Sequence, residues 1–274
     1  MLSKAEAATQ SRPRPFPSRI PSDFQKYLGS AHDLCVAPLW NVSREAYVGG
    51  LIYGFKDETG RWRRSEEASE VDAALMRIGS ITAEEVGTTA VSAFILPVNY
   101  EALRRPTKFY ALLRKIKELK PQVAKRLTIE LVDVPRGHPS HLLLEKVRSL
   151  SNAINQVMLR TYRIEDLSRR LRSIGIRAIT INFNAVGVSG HSSREKELAK
   201  LISSAHDFGL STMVVGVGSL HGLTSTLAAG ADFICGPATS IPGARLNSGA
   251  IVSAGSLYKS IMARSSRYPT KQGM

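Results

Sequence analysis

Six short apolar runs rich in β-branched residues recur between residues 90 and 237, and each follows a stretch with helical periodicity. The runs are AVSAFILPVN (90–99), RLTIELVDVP (126–135), NQVMLR (155–160), IRAITINFN (176–184), LSTMVVGVG (210–218) and ADFICGP (231–237). Runs of this length without polar alternation are the pattern of strands buried on both faces, and helices between them require right-handed crossovers and a parallel sheet. The helices are expected around SEVDAALMRIGSI, YALLRKIKELK, HLLLEKVRSLSNAI, EDLSRRLRSIG, REKELAKLISSAHDFG and SLHGLTSTLAAG. Upstream, DLCVAPLW (33–40) and AYVGGLIYGF (46–55) are close enough to pair as a hairpin, with KDETGRW as the next turn. Eight strands in this order predict an α/β fold, a TIM-like (β/α)8 barrel with one antiparallel strand near the N-terminus. A doubly wound open sheet is the competitor, and the opening hairpin fits the barrel better.

Residues 1–30 contain SRPRPFPSRIPS, lack periodicity and are expected to be a flexible basic arm. Residues 31–245 are assigned to the barrel domain, and 246–274 to a basic C-terminal tail with one helix, SGAIVSAGSLYKSIMA (248–263). That helix has two candidate seats, its own barrel or a second copy in a homodimer. A chain of 274 residues, 43% hydrophobic and 22% charged, can bury one full core of this kind. Cys35 and Cys235, the 2 cysteines, supply no disulfide framework and no C-x-x-C spacing. No apolar run is long enough for a membrane helix and the first residues lack the apolar core of a secretory signal, so a cytoplasmic location is expected.

The 37 Lys and Arg against 23 Asp and Glu leave a net charge of +14. Such a field attracts anions: a nucleotide, nucleic acid, an acidic membrane surface or an acidic protein face. The bases are densest in 103–126 and 159–177, on expected helices with apolar residues at helical spacing and without interleaved aromatic platforms. That arrangement favours solvated outer faces over a nucleic acid groove.

In a barrel, ligands and catalytic groups stand where strands end and βα loops begin. Asn99 closes one run, while Glu130 lies inside the next, with Asp133 on the opposite face by period-2 alternation. A carboxylate in an apolar strand is expensive unless it is paired, so Glu130 is either a buried structural acceptor or a ligand group. Arg160, Thr161, Thr180 and Asn182 stand at the following ends. Gly216 and Gly218 in VVGVGS, and Gly236 in ICGPATS, either cradle a phosphate with bare backbone N–H groups or permit tight turns and close packing. The histidines show no metal-ligand spacing, no serine sits in a nucleophile elbow, and neither cysteine has an adjacent base.

Over about residues 32–245 the order of motifs resembles the EAL domains, bacterial phosphodiesterases that hydrolyse cyclic di-GMP with two divalent metals. PVNYEAL, with Asn99, is similar to the family's VNLS strand end, and IELVDVP, with Glu130, to its LELTE. SAHDFGLSTMVVGVGSL resembles AHALGLxVVAEGVET, and GADFICGPATSIP resembles GADxxQGYLFSxP. The resemblance places the signature Glu at Gly50 or Leu51, the paired aspartates at Arg160 and Thr161, and the lysine and next aspartate at Thr180 and Asn182. It places the two glutamates of AEGVE at Val215 and Gly218, and the glutamine at Cys235. Of the metal and catalytic set, Asn99 and Glu130 remain.

Two divalent cations about 4 Å apart need several carboxylate oxygens, and an arginine among them opposes binding. The resemblance therefore implies an EAL-type barrel without phosphodiesterase activity and without divalent metal: a regulatory or scaffold protein that binds a protein partner in signalling over motility or surface attachment. Its alternatives are a cyclic di-GMP receptor that does not hydrolyse and, from a different class, a barrel enzyme binding a substrate phosphate between Gly216, Gly218 and Gly236.

Overall fold

The computed structural model describes residues 34–56, 62–64, 93–135, 140–187, 193–239 and 252–267. The N-terminal arm, the helix expected at SEVDAALMRIGSI and the ends of the C-terminal tail lie outside these residues. The strands are β1 (Leu34–Asn41), β2 (Ala46–Lys56), β3 (Trp62–Arg64), β4 (Ala93–Asn99), β5 (Leu127–Val132), β6 (Gln156–Thr161), β7 (Ile176–Asn182), β8 (Ser211–Val215) and β9 (Phe233–Cys235). Their order is β1-β9-β8-β7-β6-β5-β4-β2-β3, and the additional β1–β2 pairing closes eight of them into a barrel. β1 runs antiparallel to both of its neighbours, whereas β2 and β4 through β9 are parallel to one another. The expected barrel with one reversed strand is the one observed. β3 departs from expectation: part of the presumed turn KDETGRW is a strand paired antiparallel to β2, Lys56 against Trp62.

Helices alternate with the strands: α1 (Tyr100–Arg104), α2 (Pro106–Glu118), α3 (Pro121–Ala124), α4 (Ser140–Ser151), α5 (Arg169–Ser173), α6 (Arg194–Asp207), α7 (Leu220–Ala228) and α8 (Ala254–Arg267). In α2 the buried Phe109, Leu112 and Ile116 recur at helical spacing, which turns Arg114 and Lys117 to solvent. α2 starts four residues before the expected YALLRKIKELK, because Pro106 at its first turn has its φ already set for a helix. α5 is shorter than EDLSRRLRSIG suggests; Ile164–Asp166 forms a separate 3₁₀ turn.

Two apolar layers result from burying both faces of the sheet. Outward residues such as Leu96, Ile129, Leu159, Ile179, Val214 and Ile234 join the helices in the larger core. Inward residues Leu39, Leu51, Ile95, Met158, Met213 and Cys235 belong to a second cluster that plugs the barrel.

The base of the barrel, where β4 through β9 begin, is held by a polar clasp. Asp232 Oδ2 accepts from Thr212 N at 2.8 Å and Thr212 Oγ1 at 3.0 Å and lies 3.0 Å from His206 Nε2, joining α6, β8 and the entry to β9. The chemistry in SAHDFGLST and GAD is therefore structural. α8 seats on its own barrel: Leu257 and Ile261 enter the larger core, and Tyr258 and Thr224 share a hydroxyl contact of 3.2 Å. The β1–β2 turn anchors its start, since Glu45, at φ 47°, accepts Val252 N on its carbonyl and Ala254 N on Oε1.

Candidate functional site

The mouth is built from the C-terminal ends of the parallel strands. On β5, Glu130 points inward at 0% exposure, in register with Pro97 of β4 and Met158 of β6. Neither neighbouring side chain can satisfy a carboxylate. Arg160, two residues beyond Met158 on β6, does: its Nε donates to Glu130 Oε1 at 2.8 Å and its Nη2 to Oε2 at 2.6 Å. This is a forked, charge-assisted pair with the arginine side chain only 6% exposed. Alternation along β6 puts Thr161 on the other face, where its hydroxyl donates to Asp166 Oδ2 at 2.8 Å.

Thr180, in register with Arg160, is fully buried and its hydroxyl has no hydrogen-bond partner. Asn182 Oδ1 accepts Asn184 N at 3.0 Å, and Asn184 Nδ2 donates to Gly216 O at 3.2 Å. Asn184 escaped the sequence reading, because an asparagine just past a strand looks like any turn residue. Asn99 Oδ1 caps α1 by accepting Glu101 N at 2.9 Å, while its Nδ2 donates to Asp133 Oδ2 at 3.1 Å. Asp133 has left the strand at φ 57° and is exposed, so strand alternation no longer governs it. Next to Asn99, burial pushes the Tyr100 phenol above its ordinary value of 10.0, opposed by the charge of Arg104.

Backbone geometry accounts for Gly216 and Gly236 but not for Gly218. Gly216, at φ 79°, sits where a Cβ would meet Asn184 Nδ2 at 3.0 Å and Asn182 Oδ1 at 3.3 Å. Gly236, at φ 154°, lies so close to Val217 that a Cβ would be 2.5 Å from its carbonyl oxygen. Gly218 has only Gly216 O at 4.0 Å from its would-be Cβ.

A pair of divalent cations does not fit this donor set. Glu130 is engaged on both oxygens by a cation, Asn99 and Asn182 have their amide oxygens on backbone N–H groups, and Leu51, Val215 and Cys235 belong to the inner apolar cluster. Hard cations need converging anionic oxygens, and an adjacent guanidinium repels them. Among the described residues no three His, Cys, Asp or Glu side chains are placed to hold a metal ion.

At the rim, the loop after β6 exposes Tyr162 at 42% and Ile164 at 41%. The Arg163 guanidinium lies over the Tyr162 ring, 4.7 Å from its centroid. Next to this loop, the Glu195 carboxyl at the start of α6 is held below its ordinary value by its own backbone N–H and by His221, 2.8 Å away.

No protein-family profile matches the chain, and no curated protein matches it by sequence. Its fold is that of solved EAL domains. The Xanthomonas citri FimX EAL domain in complex with cyclic di-GMP aligns at TM-score 0.58 and 13% identity, over 78% of this chain and 88% of that one. The FimX EAL domain from Pseudomonas aeruginosa bound to cyclic di-GMP aligns at TM-score 0.58 and 14% identity, over 84% and 98%. The EAL domain of Mycobacterium smegmatis DcpA aligns at TM-score 0.55 and 16% identity, over 86% and 97%.

Proposed function

We propose that this chain is a non-catalytic EAL-type barrel that works by docking a protein partner as a regulatory or scaffold element of bacterial signalling. The observation that carries the reading is the Glu130–Arg160 pair, in which an internal guanidinium takes the carboxylate at the barrel mouth. Metal-assisted hydrolysis needs that carboxylate free and others beside it. The apolar side chains at Leu51, Val215 and Cys235 point the same way, because they add packing where hydrolysis needs charge. Docking is supported by the rim, where exposed Tyr162 and Ile164 flank Arg163: tyrosine and arginine are enriched at protein interfaces, and Ile164 adds exposed apolar surface beside them.

The second reading, a receptor that holds cyclic di-GMP without cutting it, is favoured by two FimX neighbours of the same fold that bind this dinucleotide. Two measurements on the full chain decide. Incubation with cyclic di-GMP and magnesium or manganese is expected to give no linear product; turnover that disappears in Glu130→Gln overturns the non-catalytic reading. Titration calorimetry without metal is expected to show no micromolar binding, and a micromolar isotherm replaces docking with the receptor reading. For docking itself, a partner captured from bacterial lysate is expected to be lost with Tyr162→Ala/Ile164→Ala.

A further inference from the structure

At the base of the barrel, opposite the mouth, a cavity of about 300 Å³ opens between the strand starts. Leu39, Ile95, Met158, Ala178 and Met213 of the inner cluster form its floor. Its rim is polar: Arg44, Asn155, Gln156, Arg177 and Ser211. Among the described residues no carboxylate lines it, and neither Arg44 nor Arg177 has an acidic partner.

Two irregularities in the sheet border this cavity. The β6–β7 register passes from Val157↔Ile176 to Met158↔Ala178, so Arg177 is an extra residue in β7. The β1–β2 register passes from Leu39↔Gly49 to Trp40↔Tyr47, so Val48 is an extra residue in β2. Both extra residues line the cavity. A bulge bends its strand and re-aims the bulged side chain, and bulges gather at barrel rims next to sites. Counted back from the inward Ala178, alternation puts position 177 on the outer face, and the bulge brings Arg177 to the cavity instead. Arg44 reaches the same rim from the β1–β2 turn, whose next residue, Glu45, adopts φ 47°. The base of such a barrel is ordinarily closed packing that contributes stability, and protein interiors leave few voids larger than water. An apolar floor beneath two guanidiniums without an acidic partner among the described residues, and three amides, Asn41, Asn155 and Gln156, instead has the make-up of a small-molecule site, at the lower end of the usual range of roughly 300–1,000 Å³.

We propose that this basal cavity binds a small organic anion, a short apolar body carrying one carboxylate, with Arg177 and Arg44 on the carboxylate and the methionines against the body. A guanidinium forks onto a carboxylate, and a methionine adapts to an irregular apolar shape. The site is independent of the mouth and of any cyclic dinucleotide.

The test is a titration of the full chain, labelled with ¹³C at the methionine methyls, with sodium octanoate as probe. The Met158 and Met213 signals, assigned through Met158→Leu and Met213→Leu, are expected to shift saturably. Met262, on α8 and 59% exposed, stays in place. 1-Octanol, with the same body and no charge, is expected to bind at least about tenfold more weakly, and Arg177→Gln to weaken octanoate by about tenfold or more. Because Arg177 is exposed, its replacement leaves the core intact, and Arg44→Gln gives an independent second loss. Unmoved Met158 and Met213 signals, equal binding of octanol and octanoate, or full affinity in both arginine variants each overturn the proposal.

Discussion

Arg160 decides what kind of group Glu130 is. A carboxylate at 0% exposure in a strand flanked by Pro97 and Met158 has no other cation within the described hydrogen bonds, so removing the guanidinium leaves a charge in the barrel without compensation. Arg160→Met is expected to cost about 3–5 kcal/mol, read as a lower urea midpoint, and Glu130→Met/Arg160→Met to recover most of it. Such recovery separates a buried pair from a general intolerance of apolar side chains at these positions. If the double variant is no more stable than the single one, the pairing does not control Glu130. Thr180 stands beside the pair with a buried, unpartnered hydroxyl, a polar group that the apolar surroundings give no return for.

At the scale of elements, the loops after β8 and β9 interlock through backbone. Ala238 N donates to Val217 O at 2.8 Å, and Gly236 permits that approach. Its would-be Cβ falls 2.5 Å from Val217 O and 2.6 Å from Val217 N, atoms that cannot swing aside. Gly236→Ala is therefore expected to destabilise by more than about 1 kcal/mol. Gly218→Ala, on the same pair of loops but with only Gly216 O at 4.0 Å, is expected to stay within about 0.5 kcal/mol of the parent. Thermal unfolding of the two variants checks this, and equal losses count against the interlock. The same loops end the motifs that resemble EAL domains most closely, and there Gly216 and Gly236 serve chain geometry.

For the whole molecule, closure is the central property, because β1 joins β2 to β9 and brings the ends of the sheet together. Tyr100, just beyond β4, is buried in the larger core. Its folded value is raised above 10.0 by burial, so its contribution to stability is complete below pH 10.0 and lost as pH rises through the raised value. Urea midpoints compared at about pH 8 and about pH 11 are expected to fall less in Tyr100→Phe than in the parent. An identical fall in both places the alkaline loss in other groups. The bases of α2, such as Arg114 and Lys117, face solvent, while the barrel interior holds the Glu130–Arg160 pair as matched opposite charges.

Strand identity, helix alternation and the reversed first strand were legible because each depends on neighbours in sequence: a continuous apolar run buries two faces, and a period of 3.6 buries one. Glu130 and Arg160 were legible as unusual residues at strand ends, but their pairing was not, since it depends on the register of β5 against β6. β3 was hidden because a strand of three residues carries too little pattern to stand out from a turn. The left-handed backbone at Asp133, the bulges at Val48 and Arg177 and the cavity between them have no local signal. Sequence determined which segments become strands and helices and which mouth positions lack acids, because propensity and polarity are carried by each residue. Only tertiary structure decided which side chains meet, because closing a barrel fixes register between segments far apart in the chain, and a one-residue slip turns a side chain to the other face.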